Sequence, residues 1–125
     1  MCLTKEQHDL HIKLMIDNLA HDEATYNIDN RLSFREASDV YCPLLEELEE
    51  VEEVLKCLNK EVRKFFEFIK YNESQENILK QLKIISLEGS SAIHEALQVK
   101  AIALKAIEQL GKEGNREQSN PNNKS

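Results

Sequence analysis

Leu44, Leu48, Val51, Leu55, Leu58, Val62, Phe65 and Ile69 recur in alternating steps of four and three. A β-strand repeats every two residues, so this spacing marks an α-helix with one apolar stripe. It is the longest periodic run in the chain, and everything else must pack around it. A helix from Glu36 to Lys70 spans roughly 50 Å at 1.5 Å per residue. That is long for a chain of 125 residues, so a bend or break is expected near Cys57 to Lys60.

The flanking segments read as further helices. Thr4 and Gln7 form a capping box, and Ile12, Met15, Ile16 and Leu19 follow as one apolar face that ends near His21. Residues from Asp22 to Leu32 keep no sustained period and read as a loop. Ser33 and Glu36 form a second capping box ahead of the long run. Tyr71-Asn72-Glu73-Ser74 reads as a turn, after which Ile78, Leu82 and Ile85 mark another helix. Gly89-Ser90-Ser91 interrupts it, with Ser91 able to cap a last helix from about Ala92. Alternatively the run continues, at a cost of about 1 kcal/mol for the glycine. The last helix is apolar on two sides, with Ala96, Val99, Ala103, Ala106, Ile107 and Leu110 on one and Ile93, Leu97 and Leu104 on another. Such a helix is usually sandwiched, and in so short a chain the second neighbour is expected from another subunit.

From Gly111 to Ser125 the chain is polar and has no aliphatic or aromatic residue, the composition of a disordered tail. Three Gly and two Pro are too few for the turns of an all-β fold. The expected architecture is therefore all-α: an oligomeric bundle of four to five helices over residues 1–110, with a tail over 111–125. A net charge of −7 argues against nucleic acid as a partner. Cys2, Cys42 and Cys57 form no CxxC pair, which disfavours a cysteine zinc site and fits a reducing cytoplasm. No apolar run approaches the roughly 20 residues that cross a bilayer.

Leu44 to Glu53 carries six glutamates among the apolar positions. At about 100° per residue, Glu46, Glu49 and Glu53 point away from the stripe into water. Glu47 lies about 70° from the stripe centre, and Glu50 follows on the same flank one turn later. A carboxylate at the edge of a buried stripe is costly unless something positive meets it. On the last helix Glu95 lies about 60° from the Val99/Ala103/Leu110 stripe, with Gln98 three residues on. Two helices can thus present Glu47 and Glu50 opposite Glu95 and Gln98, a set of hard oxygen donors suited to Mg²⁺ or Mn²⁺.

Other chemistry-bearing residues have plainer readings. His8 and His11 share a helix face near the N-terminus, and His94 precedes Glu95 without assigned chemistry. Phe65 fits the core period, and Phe66 and Phe68 flank it. Lys100 either snorkels from an apolar face or meets a phosphate. There is no Glu-x-x-His pair of the di-iron bundles and no glycine-rich phosphate loop.

Leu44-Leu45-Glu46-Glu47-Leu48-Glu49-Glu50 resembles the first motif of the MazG-like, all-α NTP pyrophosphohydrolases, an EExxE helix followed by an ExxD helix. Glu46, Glu47 and Glu50 fill EExxE, and Glu95-Ala96-Leu97-Gln98-Val99 resembles ExxD. Glu49-Glu50-Val51-Glu52-Glu53 matches EExxE too, but the wheel turns Glu53 to solvent and favours the first register. The text around Glu95 looks like small phage and prophage members of that group, and the resemblance covers about Ser33 to Leu110. It implies Mg-dependent cleavage of a nucleoside triphosphate to a monophosphate and pyrophosphate, in a homodimer or homotetramer. Glu47 and Glu50 would be the catalytic carboxylates, and Glu47, Glu50, Glu95 and Gln98 the metal ligands. Gln98 stands where the motif has aspartate, and the gap between Glu50 and Glu95 is longer than the family's. These departures put the activity in question and support an alternative, a non-catalytic helical dimerisation or interaction module.

Overall fold

The computed structural model describes residues 2–26 and 32–119, with side chains to Lys112. Among these residues the chain forms three helices and no strand: α1 (Lys5–Tyr26), α2 (Ala37–Lys70) and α3 (Gln75–Ser119). The all-α class stands, but three helices replace the four to five expected. No helix is long and apolar enough to cross a membrane.

The difference in number arises at the places where a break was expected. α2 runs unbroken through Cys57–Lys60. α3 passes straight through Gly89. The Ser90 and Ser91 hydroxyls donate back to the Ser86 and Leu87 carbonyls, both at 3.3 Å. Bonded inside the helix, they cap nothing. One glycine penalty of about 1 kcal/mol does not outweigh the helical turns on either side.

The helix ends show which local signals acted. At α1, Thr4 N–H donates to Gln7 Oε1 at 2.9 Å and Gln7 N–H to Thr4 Oγ1 at 3.1 Å, the expected reciprocal cap. α1 then continues past His21 to Tyr26, taking in the first residues of the expected loop. Residues 27–31 lie outside the described residues. The Ser33–Glu36 box does not form, because Asp39 is the capping group. Its Oδ2 accepts from the N–H groups of Arg35 and Glu36, both at 3.0 Å. These two charge-assisted bonds outcompete a neutral serine cap. Pro43 sits inside α2, where it cannot donate to the Asp39 carbonyl.

The turn from Tyr71 to Ser74 is as the sequence indicates. Asn72 takes φ 54°, the left-handed conformation that asparagine tolerates best after glycine. Glu73 N–H donates to the Phe68 carbonyl at 2.9 Å and Asn72 N–H to that of Ile69 at 3.2 Å, which closes α2. Ser74 Oγ then accepts from Asn77 N–H at 3.2 Å and opens α3.

By its contacts the chain falls into two compact units, Met1–Leu45 with Leu97–Ser125, and Glu46–Ala96. In the first, Phe34, Val40, Ala101, Ile102 and Ala106 form the buried core, with Ala24, Leu32, Leu44 and Leu110 against it. The Gln109 side chain holds the segment before α2, accepting from Phe34 N–H at 2.6 Å and reaching the Leu32 carbonyl at 3.5 Å. Lys100 pairs with Asp17 at 2.9 Å. The expected inner face of α1 is corrected, since Ile12, Met15, Ile16 and Leu19 are all exposed and Ala20 is the buried residue. Alanines, not large side chains, turn inward from α1. The stretch from Gly111 that reads as a disordered tail lies partly in α3, to Ser119, and partly outside the described residues.

The second unit is an antiparallel hairpin of α2 and α3. Gln81, only 2% exposed, donates through Nε2 to the Glu61 carbonyl at 2.8 Å and to Glu61 Oε2 at 2.7 Å. Along α2 the half-buried residues are Glu47, Val51, Val54, Leu58, Glu61, Phe65 and Phe68. Along α3 the matching positions are Ile78, Gln81, Ile85, Glu88, Ala92 and Glu95, with Gln81 fully buried and with Asn77 and Gly89 half-buried beside them. Both series step by three and four, the seam of a left-handed helix pair. Leu48, Leu55, Val62 and Ile69, placed by sequence in the apolar stripe, are exposed instead.

An added Cβ at Gly89 meets nothing within 4 Å, and the residue has ordinary helical backbone. Gly89→Ala should therefore stabilise the protein by about 0.5–1 kcal/mol. Urea unfolding followed by circular dichroism checks this. A destabilised variant would mean that α3 is not continuous there.

Candidate metal centre

Helix spacing puts Glu47 and Glu50 one turn apart on α2, and the hairpin register brings Glu95 of α3 against them. Glu61 follows Glu47 by fourteen residues, and Glu95 follows Gln81 by fourteen. The Gln81–Glu61 contact and the Glu95–Glu47 contact are therefore the same pairing, repeated four turns along the seam. One carboxylate oxygen from each of Glu47, Glu50 and Glu95 lies within 4.8 Å of the other two. Among the described residues this is the one place where three or more His, Cys, Asp or Glu side chains converge so closely.

Two of these carboxylates are poorly solvated. Glu47 Oε2 and Glu95 Oε2 are buried and accept no hydrogen bond. A buried acceptor left unpaired costs on the order of 1–3 kcal/mol, and more when charged. The electrostatics agree. Burial, and then the charges of Glu50 and Glu95, push the Glu47 carboxyl up from 4.5 to about 6. A hydrogen bond with Glu50 and the charge of Glu46 act in the same direction. Glu95 is also raised, by burial first and then by its hydrogen bond and repulsion with Glu50, while His94 pulls it back.

The donor set fits a hard cation. An octahedral Mg²⁺ with ligands at about 2.1 Å has a shell about 4.2 Å across. Three carboxylate oxygens within 4.8 Å of one another would share that shell after side-chain movements of several tenths of an ångström. Such an ion would meet both orphaned oxygens and relieve the repulsion that raises Glu47 and Glu95.

The remaining candidates are placed as follows. Gln98 is half-buried one turn beyond Glu95 on α3 and belongs to the first unit. Glu46, Glu49 and Glu53 are exposed, as the wheel indicates. His8, His11 and His94 are exposed. Phe65 and Phe68 are half-buried and Phe66 is exposed. The wheel set Glu47 at the stripe edge, whereas it occupies the inner seam itself. Sequence reasoning missed the Glu61–Gln81 pair, although both residues lie on the same three–four spacing as Glu47 and Glu95.

Compared with protein-family models, with curated proteins and with solved structures, the chain matches none.

A pH dependence follows from the raised carboxyls. The Glu47 carboxyl binds its proton more tightly in the folded chain than at its ordinary 4.5. Its contribution is complete below 4.5 and is lost as pH rises through about 6. Glu95 acts in the same sense. Asp39, lowered by the Arg35 and Glu36 N–H groups, acts in the opposite sense only below its ordinary 3.8. Metal-free protein in EDTA should therefore melt at a lower temperature near pH 7 than near pH 5. Glu47→Gln should reduce that difference, and an unchanged difference would dissociate it from this carboxylate.

Proposed function

We propose that Glu47, Glu50 and Glu95 hold a divalent cation, Mg²⁺ or Mn²⁺, and that the chain uses it to cleave a nucleoside triphosphate to a monophosphate and pyrophosphate. The observation that carries the metal is the convergence of three carboxylate oxygens within 4.8 Å, two of the groups having a buried oxygen without a hydrogen-bond partner. The nucleotide comes from the resemblance to MazG-like pyrophosphohydrolases in the EExxE residues Glu46, Glu47 and Glu50 and in Glu95. In that chemistry the cation neutralises phosphate charge and activates water for attack on a phosphoryl group.

The chain's own residues divide the work by burial. Glu47 and Glu95 present their desolvated oxygens to the ion from opposite helices and fix its position. Glu50 is exposed, so it is the carboxylate that faces the solvent side, where phosphates and water arrive. Of the three, it is the carboxylate we assign to accept a proton from the attacking water, through the oxygen that does not hold the ion.

A second reading is favoured by one residue. Gln98, where the motif has aspartate, offers an amide oxygen but removes one negative charge. The non-catalytic helical module, binding a partner or an uncleaved nucleotide, follows from that loss.

Metal and turnover tests separate the two. Metal that binds only the folded state stabilises it, by about 2.7 kcal/mol at a hundredfold excess over Kd. Millimolar Mg²⁺ or Mn²⁺ should raise the melting midpoint of the wild type, and Glu47→Gln should remove the rise. No shift with either ion would mean a solvated acidic face and no metal centre. Pyrophosphate release is then measured on the eight common NTPs and dNTPs. Turnover of one of them that disappears in Glu47→Gln supports the enzyme. A metal shift without turnover supports the module.

A further inference from the structure

Among the described residues, Gln81 is the one polar side chain that is fully buried, at 2% exposure. Its neighbours in the two seam series are apolar: Leu58 and Phe65 on either side of Glu61 in α2, and Ile78 and Ile85 on either side of Gln81 in α3. An apolar residue at that place would give a helix pair at least equal stability. Packing therefore does not account for the amide.

The amide reads axial position. Its Nε2 donates to the Glu61 carbonyl at 2.8 Å and to Glu61 Oε2 at 2.7 Å. Apolar side chains on a three–four seam pack nearly as well after a slide of one turn, because the next apolar residue arrives where the last one stood. The contact with the carboxylate does not survive such a slide. One turn in either direction brings Gln81 level with Leu58 or Phe65, and neither side chain accepts a hydrogen bond. Fixing register at a cost in stability is the best-attested use of a buried polar residue in a helix pair.

The carboxylate cluster depends on that register more than the fold does. A one-turn slide moves Glu95 along α2 by about 5.4 Å. That exceeds the 4.8 Å within which oxygens of Glu47, Glu50 and Glu95 all lie. A binding constellation tolerates only about 0.5 Å of misplacement. The turn at Asn72 and the Ser74 cap anchor α3 at one end, and from Ser74 to Glu95 is about 32 Å of helix. A small tilt at the turn grows along that length. Gln81 lies about 10 Å along it. With the turn, this second fixed point defines the direction of α3 as well as its start.

We propose that Gln81 is the positioning residue of the candidate metal centre. Its amide holds α3 on Glu61 in the register that brings Glu95, fourteen residues on, against Glu47 and Glu50. This rests on reading the three glutamates as metal ligands. Gln81 itself touches neither the ion nor a substrate.

The test separates register from metal. Glu61→Leu with Gln81→Leu makes the seam apolar at both positions. Urea unfolding should find this pair at least as stable as the wild type. Its affinity for Mn²⁺, read from the paramagnetic resonance of the free ion, should nevertheless fall at least about tenfold. Glu61→Gln with Gln81→Glu restores an amide–carboxylate contact in the opposite sense and should recover the affinity. Gln81→Met, of similar volume, gives the same readings should the apolar pair lose helix content by circular dichroism. The register is read without metal, from the distance between spin labels at Glu49→Cys and Lys80→Cys, both exposed positions, with Cys2, Cys42 and Cys57 replaced by serine. The labels are offset by about 20 Å along the hairpin, so a slide changes their separation. The wild-type seam should give one narrow distance, the apolar pair a shifted or broadened one, and the exchanged pair the original. A narrow, unchanged distance in the apolar pair overturns the proposal. A changed distance with undiminished Mn²⁺ affinity also overturns it. A wild type that binds no Mn²⁺ overturns the metal reading and the positioning role with it, and the label distance tells that failure apart from a failure of the register.

Discussion

The amide of Gln81 sets the register of the α2–α3 hairpin. It is buried, and it donates to both the main-chain carbonyl and the carboxylate of Glu61. Sliding α3 by one heptad would keep apolar residues in the seam but would leave a buried amide facing no acceptor. That loss costs on the order of 1–3 kcal/mol, enough to decide between registers that packing alone treats alike. The Asn72 turn limits the slack at one end. With the register fixed there, Glu95 meets Glu47 four turns away. The juxtaposition of Glu47 and Glu95 is therefore a consequence of the Gln81–Glu61 pair.

That dependence explains why charged groups are tolerated in a seam. A helix pair gains most by burying Leu, Val and Ile, yet this one places Glu47, Glu61 and Glu95 among its half-buried positions. Glu61 is answered by Gln81. Glu47 and Glu95 each have a buried oxygen that is not answered, and burial raises both carboxyls. A chain selected for stability alone would place apolar residues here. Carboxylates that oppose folding when charged, and that bring three oxygens within 4.8 Å of one another, favour a role in binding over a role in packing.

The all-α class and the convergence of Glu47, Glu50 and Glu95 were legible because both depend on helical period. Thr4 with Gln7, and Asn72 with Ser74, were legible because capping is local. The errors have physical causes. A stripe drawn through Leu44, Leu48, Val51 and Leu55 averages two neighbouring seams only about 100° apart, and apolar spacing does not say which seam meets α3. Glu47 and Glu61 mark the inner one, but a glutamate normally argues for solvent. Gly89 looked like a break because propensity is a weak prior that long flanking helices override, and the Cys57–Lys60 region because a helix of roughly 50 Å is long for so short a chain. Asp39 displaced Ser33 because an ionised cap forms the stronger bonds.

The acidic run of α2 serves different faces with alternate residues. Glu47 lies in the inner seam and Glu50 beside it, while Glu46, Glu49 and Glu53 lie on the outer flank. If all six glutamates were only a solubilising surface, the basic residues that follow would have no reason to keep to the same flank. Lys56, Lys60 and Arg63 do keep to it, at positions reached from Glu46, Glu49 and Glu53 by continuing the same three–four steps, and the next steps reach Glu67 and Lys70. A net charge of −7 supplies solubility without help from such an order.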